Sequence, residues 1–95
     1  MSDYFENVVR KLTIEDLSVL GWLLEEDATA VFKAIKRSNV SEAIDLSATS
    51  FRKTLGKLEA IDFIGMVTSA KEHKMYLTEF GQQAVTKATK EAEEA

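Results

Sequence analysis

Apolar residues recur at helical spacing along most of the chain, and short polar stretches that can cap helices separate the runs. The first run predicts an amphipathic helix over residues 3–11. Its apolar side consists of Tyr4, Phe5, Val8, Val9 and Leu12. Thr13 then stands at an N-cap position with Asp16 three residues later, which is the pattern of a capping box. The second helix is predicted to end near Glu25–Asp27.

The segment Ala28–Ile44 is less regular. Its apolar residues predict a helix that is capped by Asp27 and runs to about Arg37. Ser38-Asn39 then predicts a break, because short polar side chains compete with a helix for backbone hydrogen bonds. A second short helical piece is expected to complete the segment.

Ser47 is the next N-cap, and it predicts a helix over residues 47–61. The apolar side of this helix consists of Phe51, Leu55, Leu58 and Ile61. The opposite face carries Thr49, Arg52, Lys53 and Lys57. The pattern therefore predicts an amphipathic helix with one buried side and one basic side.

Two short β-like runs follow, at Ile64–Val67 and Met75–Leu77, and the stretch between them is polar and basic. This pattern predicts a β-hairpin with an irregular tip. Thr78 is the predicted cap of a last helix that ends near residue 91. The apolar side of that helix consists of Phe80, Ala84, Val85 and Ala88.

The order of these elements is typical of a winged helix-turn-helix, in which a pair of helices is followed by a β-hairpin wing. We therefore predict a mainly α (α+β) fold in a single domain over residues 1–95. The expected parts are an N-terminal helix at 1–12, a helical core at 13–64 with the recognition helix at 47–61, a wing at 64–77 and a C-terminal helix at 78–91.

Composition excludes several classes of site. The chain has 95 residues, no cysteine and a single histidine, His73, so disulfides, thiolate sites and multi-histidine metal sites are ruled out. Its apolar stretches are too short to span a membrane, and its acidic N-terminus lacks the order of a signal peptide. The sequence also has no phosphate-binding loop and no metal-ligand spacing. We expect a cytoplasmic protein that uses no cofactor and is not an enzyme.

Charge is distributed unevenly along the chain. The net charge of −4 by itself argues against a nucleic-acid-binding protein. Residues 29–77, however, carry eight basic and five acidic side chains, and the acidic excess lies in residues 1–28 and 78–95. A phosphate backbone responds to the local field rather than to the total charge, so the central segment favours polyanion binding.

In a winged helix the first half of the recognition helix faces the base edges of the major groove. Here that half begins with small residues, which permit close approach and carry hydroxyls that can hydrogen-bond to bases. Longer basic side chains follow, and the wing adds others that could reach the backbone or the minor groove. The predicted DNA contacts are Ser47, Ala48, Thr49, Ser50, Arg52, Lys53 and Lys57 in the helix, and Lys71, His73 and Lys74 in the wing.

Two segments resemble the MarR-like and PadR-like winged-helix transcription regulators. LSATSFRKTLGKLEAIDFI (Leu46–Ile64) is similar to their recognition-helix signature, and MYLTEFGQQAV (Met75–Val85) is similar to their second wing strand and last helix. The chain departs from these families at two turns where they usually carry glycine. Asp45 stands in the turn into the recognition helix, where we expect it to tolerate a left-handed conformation. Asp62 precedes the first wing strand.

The resemblance implies a homodimer that binds pseudo-palindromic operators through paired recognition helices. It also implies dimerisation through the terminal helices, although the same apolar stripes could instead complete the chain's own core. The predicted interface residues are Tyr4, Phe5, Val8, Val9, Val85 and Ala88. Some relatives bind small aromatic effectors, but we interpret the aromatic residues Trp22, Phe32, Phe51 and Phe63 as core.

Three functions remain open on the sequence alone. The first is sequence-specific binding of double-stranded DNA by a homodimer, most simply as a transcriptional repressor that occludes its operator. A close variant is a plasmid or phage DNA-partition or DNA-organising protein that binds repeats and spreads along DNA. The alternative class is a winged-helix module that uses the same helix to bind a protein partner.

Overall fold

The fold is mainly α with a small sheet, as predicted. The computed structural model describes residues 2–68 and 72–94. Its helices are α1 (Ser2–Arg10), α2 (Ile14–Glu25), α3 (Arg37–Ala43), α4 (Ala48–Ala60) and α5 (Glu79–Glu94). Its strands are β1 (Ile35–Lys36), β2 (Ile64–Thr68) and β3 (His73–Leu77). They form an antiparallel sheet in the order β1-β3-β2, with β2 and β3 as the predicted hairpin.

The predicted caps start α2 and α4. The Asp16 backbone N–H donates to Thr13 Oγ1 at 3.1 Å, and the Thr13 N–H donates to Asp16 Oδ2 at 2.9 Å, so the capping box is complete. Ser47 Oγ accepts a hydrogen bond from the Ser50 N–H at 3.1 Å and begins α4. These side chains satisfy backbone donors that the first turn of a helix leaves without intrahelical partners.

The predicted helix from Ala28 to Arg37 is wrong. Ala28 is buried in a loop, where its carbonyl accepts a hydrogen bond from the Leu77 N–H at 2.6 Å. A 3-10 turn at Val31–Lys33 follows, and Ile35 then pairs with Met75 across the sheet. The edge of β3 supplies backbone hydrogen-bond partners to this segment. That pairing stabilises an extended conformation in place of the helix that the apolar spacing predicted. Helix α3 begins at Arg37 and runs through the predicted break.

Two further expectations in this region are corrected. Asp27 does not cap a helix; it follows the end of α2 with φ 58°, and its carboxylate pairs with Lys33 Nζ at 2.7 Å. Phe32, which we expected in the core, is 84% exposed, with Lys33 Nζ 5.6 Å from its ring centroid. Of the other aromatic residues interpreted as core, Phe51 and Phe63 are buried and Trp22 is half-buried against the core.

The core lies between the helices and one face of the sheet. Its largest fully buried apolar side chains are Leu20, Leu23, Leu58, Ile64, Met75, Leu77, Val19 and Val40. Val9 of α1 and Val85 of α5 are buried in this same core. Two residues of the predicted dimer interface are therefore inside the chain, where a partner cannot contact them.

Both α2 and α4 end in a left-handed aspartate. Among the described residues other than glycine, Asp27 and Asp62 are the positions with positive φ, so the left-handed turn expected at Asp45 is wrong. The Asp62 N–H donates to the Glu59 carbonyl and the Phe63 N–H to the Leu58 carbonyl, which is the Schellman pattern of a helix end. The chain thus reverses at Asp62, directly before β2.

The start of α5 fits closely against that turn. Thr78 Oγ1 donates to the Asp62 carbonyl at 2.6 Å and accepts from the Gly81 N–H at 3.0 Å, so the predicted cap is confirmed. A Cβ atom at Gly81 would overlap the Phe63 carbonyl oxygen. Glycine is therefore required at this position of α5, since any side chain would push the helix away from the strand.

Candidate nucleic-acid interface

The first half of α4 is open to solvent on the side predicted to meet DNA. Buried Phe51, Thr54 and Leu55 hold the helix against the core. The residues that remain exposed in this half are Ser47, Ala48, Thr49, Ser50, Arg52 and Lys53. All seven predicted helix residues, Lys57 included, are therefore exposed, with the small side chains first and the long basic ones next.

Lys57 lies in a different setting from the one we predicted. Its Nζ is 2.6 Å from Asp16 Oδ2, and the Asp16 side chain is only 2% exposed. The same ammonium is 3.5 Å from the Lys11 carbonyl oxygen. The charge of Lys57 is therefore engaged at the junction of α1 and α2, and a DNA phosphate would have to compete with a buried carboxylate for it.

The wing contributes fewer described side chains than predicted. His73 is exposed and Lys74 is half-buried at the start of β3, beside the hairpin tip. Lys71 lies outside the described residues. The sheet places Lys74 directly opposite Lys36 of β1.

A polar groove lies between the wing and the start of α3. It has a volume of about 370 Å³ and is lined by Lys36, Arg37, Ser38, Glu72 and His73. The Arg37 guanidinium is 6.0 Å from the ring centroid of Phe51, so the groove adjoins the first turn of α4. The groove therefore joins wing residues to the recognition helix across a surface rich in basic groups.

Glu72 is the acidic member of this groove. Its carboxylate is 2.9 Å from Lys36 Nζ and 3.9 Å from Lys74 Nζ. The hydrogen bond from Lys36, reinforced by the charges of Lys36 and Lys74, holds the pKa of Glu72 below its ordinary value. Glu72 is consequently ionised at neutral pH.

An apolar cavity of about 400 Å³ opens on another part of the surface. It is lined by Tyr4, Phe5, Val8, Ile61, Phe63 and Phe80. Tyr4 is 74% and Phe80 54% exposed, and both are large side chains that a water-exposed surface does not favour. Three residues of the predicted dimer interface, Tyr4, Phe5 and Val8, belong to this cavity, whereas Ala88 is half-buried against the core.

Known proteins share this sequence and fold. No protein-family model matches the chain. The DNA-binding protein TubR of Priestia megaterium (strain ATCC 12872 / QMB1551) is 64% identical over 94 residues, which cover 99% of this chain and 93% of that protein. The chain belongs to the TubR family. A solved structure of TubR from Bacillus megaterium pBM400 matches it with a TM-score of 0.89, covering 92% of this chain and 97% of that one.

More distant structures share the TubR fold alone. MepR, a transcription regulator of the Staphylococcus aureus multidrug efflux pump MepA, matches 98% of this chain and 71% of its own with a TM-score of 0.75 at 18% identity. RV1404 from Mycobacterium tuberculosis matches 90% of this chain and 56% of its own with a TM-score of 0.72, also at 18% identity. The predicted winged helix-turn-helix fold, and the resemblance to MarR-like regulators, are confirmed.

Sequence reasoning did not identify Lys36, Arg37 and Ser38 of this TubR-family chain as residues that line a groove beside the wing. The sequence pattern placed Lys36 and Arg37 at the end of a predicted helix and Ser38 in the break after it, and so indicated no relation to the wing. Their approach to Lys74 depends on the pairing of β1 with β3, two segments separated by almost 40 residues. The two-residue length of β1 leaves no period-2 alternation in the sequence that could have identified it.

Two other kinds of feature, a metal site and a membrane-spanning helix, were sought in the described residues. No cluster of three or more His, Asp or Glu side chains in residues 2–68 and 72–94 could hold a metal ion. No helix in those ranges has the length and apolar character needed to cross a bilayer.

Proposed function

We propose that this chain binds double-stranded DNA sequence-specifically as a homodimer. The observation that carries the proposal is the exposed first half of α4, where small hydroxyl-bearing residues precede Arg52 and Lys53 on a helix with a buried opposite side. The name of a relative with 64% identity, DNA-binding protein TubR, supports it. A duplex-binding protein must share the compartment of its DNA, so we retain the expectation of a cytoplasmic location. No enzymatic role is proposed.

The chemistry of α4 suits the major groove. The groove is about 12 Å wide and admits an α-helix, and small residues at the helix start allow the backbone to approach base edges. In this proposal Thr49 and Ser50 exchange hydrogen bonds with bases, and the Ala48 methyl packs against a thymine methyl. Arg52 is long enough to bind the O6 and N7 atoms of guanine, and Lys53 reaches a phosphate.

The wing supplies the second set of proposed contacts. In this proposal His73 and Lys74 contact the DNA backbone or the adjacent minor groove, and Lys71 is retained as a contact on the sequence alone. Lys57 is no longer among the proposed contacts, because its ammonium is bound by Asp16. We assign it the role of a positioning residue for α4.

The dimer in this proposal forms at the apolar cavity. Tyr4 and Phe80 project from its rim, and a second copy would remove both from water, which is favourable by about 25 cal/mol for each Å² of apolar surface buried. Two copies related by a two-fold axis present two α4 helices to half-sites about 34–36 Å apart along the duplex. A palindromic target follows from that symmetry.

Two biological settings fit this activity. A dimer that occludes a promoter is a repressor, and a dimer that fills a series of repeats is a partition or DNA-organising protein. The transcription regulator MepR is only 18% identical to this chain, so its likeness does not favour the first setting over the second. Footprinting on DNA from the source would distinguish one protected palindrome from a protected array of repeats.

Charge removal on α4 tests DNA binding. The Arg52→Gln, Lys53→Gln double variant should weaken binding to a palindromic duplex by about tenfold or more and reduce the slope of log affinity against log salt by up to about 2. Fluorescence anisotropy across a salt titration measures both quantities. Lys90→Gln is the control, because it removes a positive charge at an exposed position of α5 and not of α4. It should change neither the affinity nor the salt slope strongly. Unchanged duplex binding by the double variant would favour the alternative of a protein partner.

A further inference from the structure

Two lysines of the sheet face each other with the same charge. Lys36 of β1 and Lys74 of β3 are direct partners in the antiparallel register. Like charges placed opposite each other across strands destabilise a sheet. Such a pair persists only if an anion lies close to both ammonium groups or if both remain well solvated.

Glu72 supplies that anion within the protein. Its two carboxylate oxygens divide between the lysines, with Oε1 2.9 Å from Lys36 Nζ and Oε2 3.9 Å from Lys74 Nζ. Glu72 directly precedes β3 and stands two residues before Lys74. The carboxylate thus bridges a pair of cations at the base of the hairpin tip.

The groove that contains Glu72 lies between α4 and the wing, the two elements of the proposed DNA contact. Arg37 and His73 line the groove that contains Glu72, and Arg37 stacks at 6.0 Å over Phe51 in the first turn of α4. A DNA backbone that runs from α4 to the wing must pass this groove. Lysine ammonium groups bind phosphate oxygens as readily as carboxylate oxygens, by charge-assisted hydrogen bonds.

We propose that Glu72 occupies the position of a DNA backbone phosphate in the unbound protein, and that duplex binding replaces its carboxylate with a phosphate at Lys36 and Lys74. The inference rests on the proposed function. It identifies a phosphate site made of Lys36, Lys74 and Arg37, two of which sequence reasoning did not find. It also gives Glu72 a role in specificity, because every duplex must displace it and only a duplex with matching base contacts recovers the loss.

The Glu72→Gln variant tests the inference. The amide keeps the size of the side chain but removes the charge that holds the lysines. Binding to a random-sequence duplex, followed by anisotropy at about 0.1 M salt, should tighten by up to about fivefold, as expected for loss of a competing surface ion pair. Glu42→Gln is the matched control, since it removes the same charge from an exposed position of α3. Its effect should remain below that of Glu72→Gln.

A second experiment distinguishes competition between Glu72 and phosphate for Lys36 from an effect of the total charge of the protein. In a Lys36→Met protein, Glu72→Gln should tighten binding much less, because the main partner of the carboxylate is gone. If Glu72→Gln and Glu42→Gln are equivalent, or if the gain persists in full without Lys36, the inference is overturned. A different result would contradict the proposed function, namely that the unmodified protein binds no duplex at low salt. Circular dichroism melts of all variants check that each one folds.

Discussion

Asp27 and Asp62 end their helices in a conformation that usually requires glycine. A left-handed backbone costs an ordinary residue about 1–2 kcal/mol, and aspartate tolerates it better than most because its side chain can hydrogen-bond locally. In both cases the following residue, Ala28 or Phe63, is buried in the core. The reversal therefore directs an apolar side chain inward immediately after an exposed helix end.

A substitution at Asp62 should relieve this strain. We expect Asp62→Gly to raise the free energy of unfolding by about 0.5–1 kcal/mol, because glycine adopts positive φ without a steric cost. Urea denaturation followed by circular dichroism measures the change. Asp45→Gly is the control: Asp45 does not have a positive φ, so glycine there should lower stability through the entropy of the unfolded chain. Equal effects of the two substitutions would contradict the strain argument.

At the scale of elements, one ion pair fixes α4 against α2. The Asp16 carboxylate is buried, and it accepts hydrogen bonds from Lys57 Nζ and from the Thr13 N–H that begins α2. A buried carboxylate without a partner is unfavourable. Asp16 therefore links the start of α2 to the last turns of α4, and so determines how the first half of α4 is presented.

Removing one member of this pair should have a measurable cost. We expect Lys57→Met to lower the free energy of unfolding by about 1–2 kcal/mol, less than for a fully buried pair because Lys57 is partly solvated. Adding Asp16→Asn should recover part of this loss, since the uncompensated charge disappears. Lys53→Met, four residues earlier on the exposed face, should stay within about 0.5 kcal/mol of the unmodified protein. Equal losses for Lys53→Met and Lys57→Met in urea denaturation would show that the pair contributes nothing.

The sequence predicted the elements that are specified by residues within their own segment. Helices α1, α2, α4 and α5 follow from apolar spacing and from the caps Thr13, Ser47 and Thr78. Strand β1 does not, because two residues carry no periodicity and their structure depends on a distant edge of β3. The same distinction holds for the site. The exposed residues of α4 could be predicted from one helix, whereas Lys36, Arg37 and the Lys57–Asp16 pair depend on tertiary contacts.

At the scale of the molecule, the charged and apolar surfaces are divided between different parts of the fold. Basic groups of β1, α3 and the wing line one groove, and exposed apolar groups of α1 and α5 line the cavity. The acidic excess of the terminal regions leaves an excess of positive charge in residues 29–77, and a phosphate backbone responds to that local charge. One surface carries mostly basic groups and the other carries apolar ones.

Charge placed in the cavity should prevent dimerisation. We expect the Tyr4→Asp, Phe80→Asp double variant to sediment as a monomer of about 10.6 kDa, whereas the unmodified protein sediments at about twice that mass. Phe32→Asp is the control, because Phe32 is an even more exposed aromatic residue that does not line the cavity. A double variant that remains dimeric in analytical ultracentrifugation would place the interface elsewhere. Its affinity for a palindromic duplex should fall with dimerisation, since each copy then binds one half-site alone.

The shortness of β1 has a consequence for crowded assemblies. A long, flat strand at the edge of a sheet is a template on which another chain can add its own strand and begin to aggregate. Here the chain leaves the sheet after two residues, turns into α3 at Arg37 and places a lysine on the edge itself. The β1 edge of the sheet therefore offers little backbone to a strand of another copy, so copies gathered at high local concentration would not fuse along that edge.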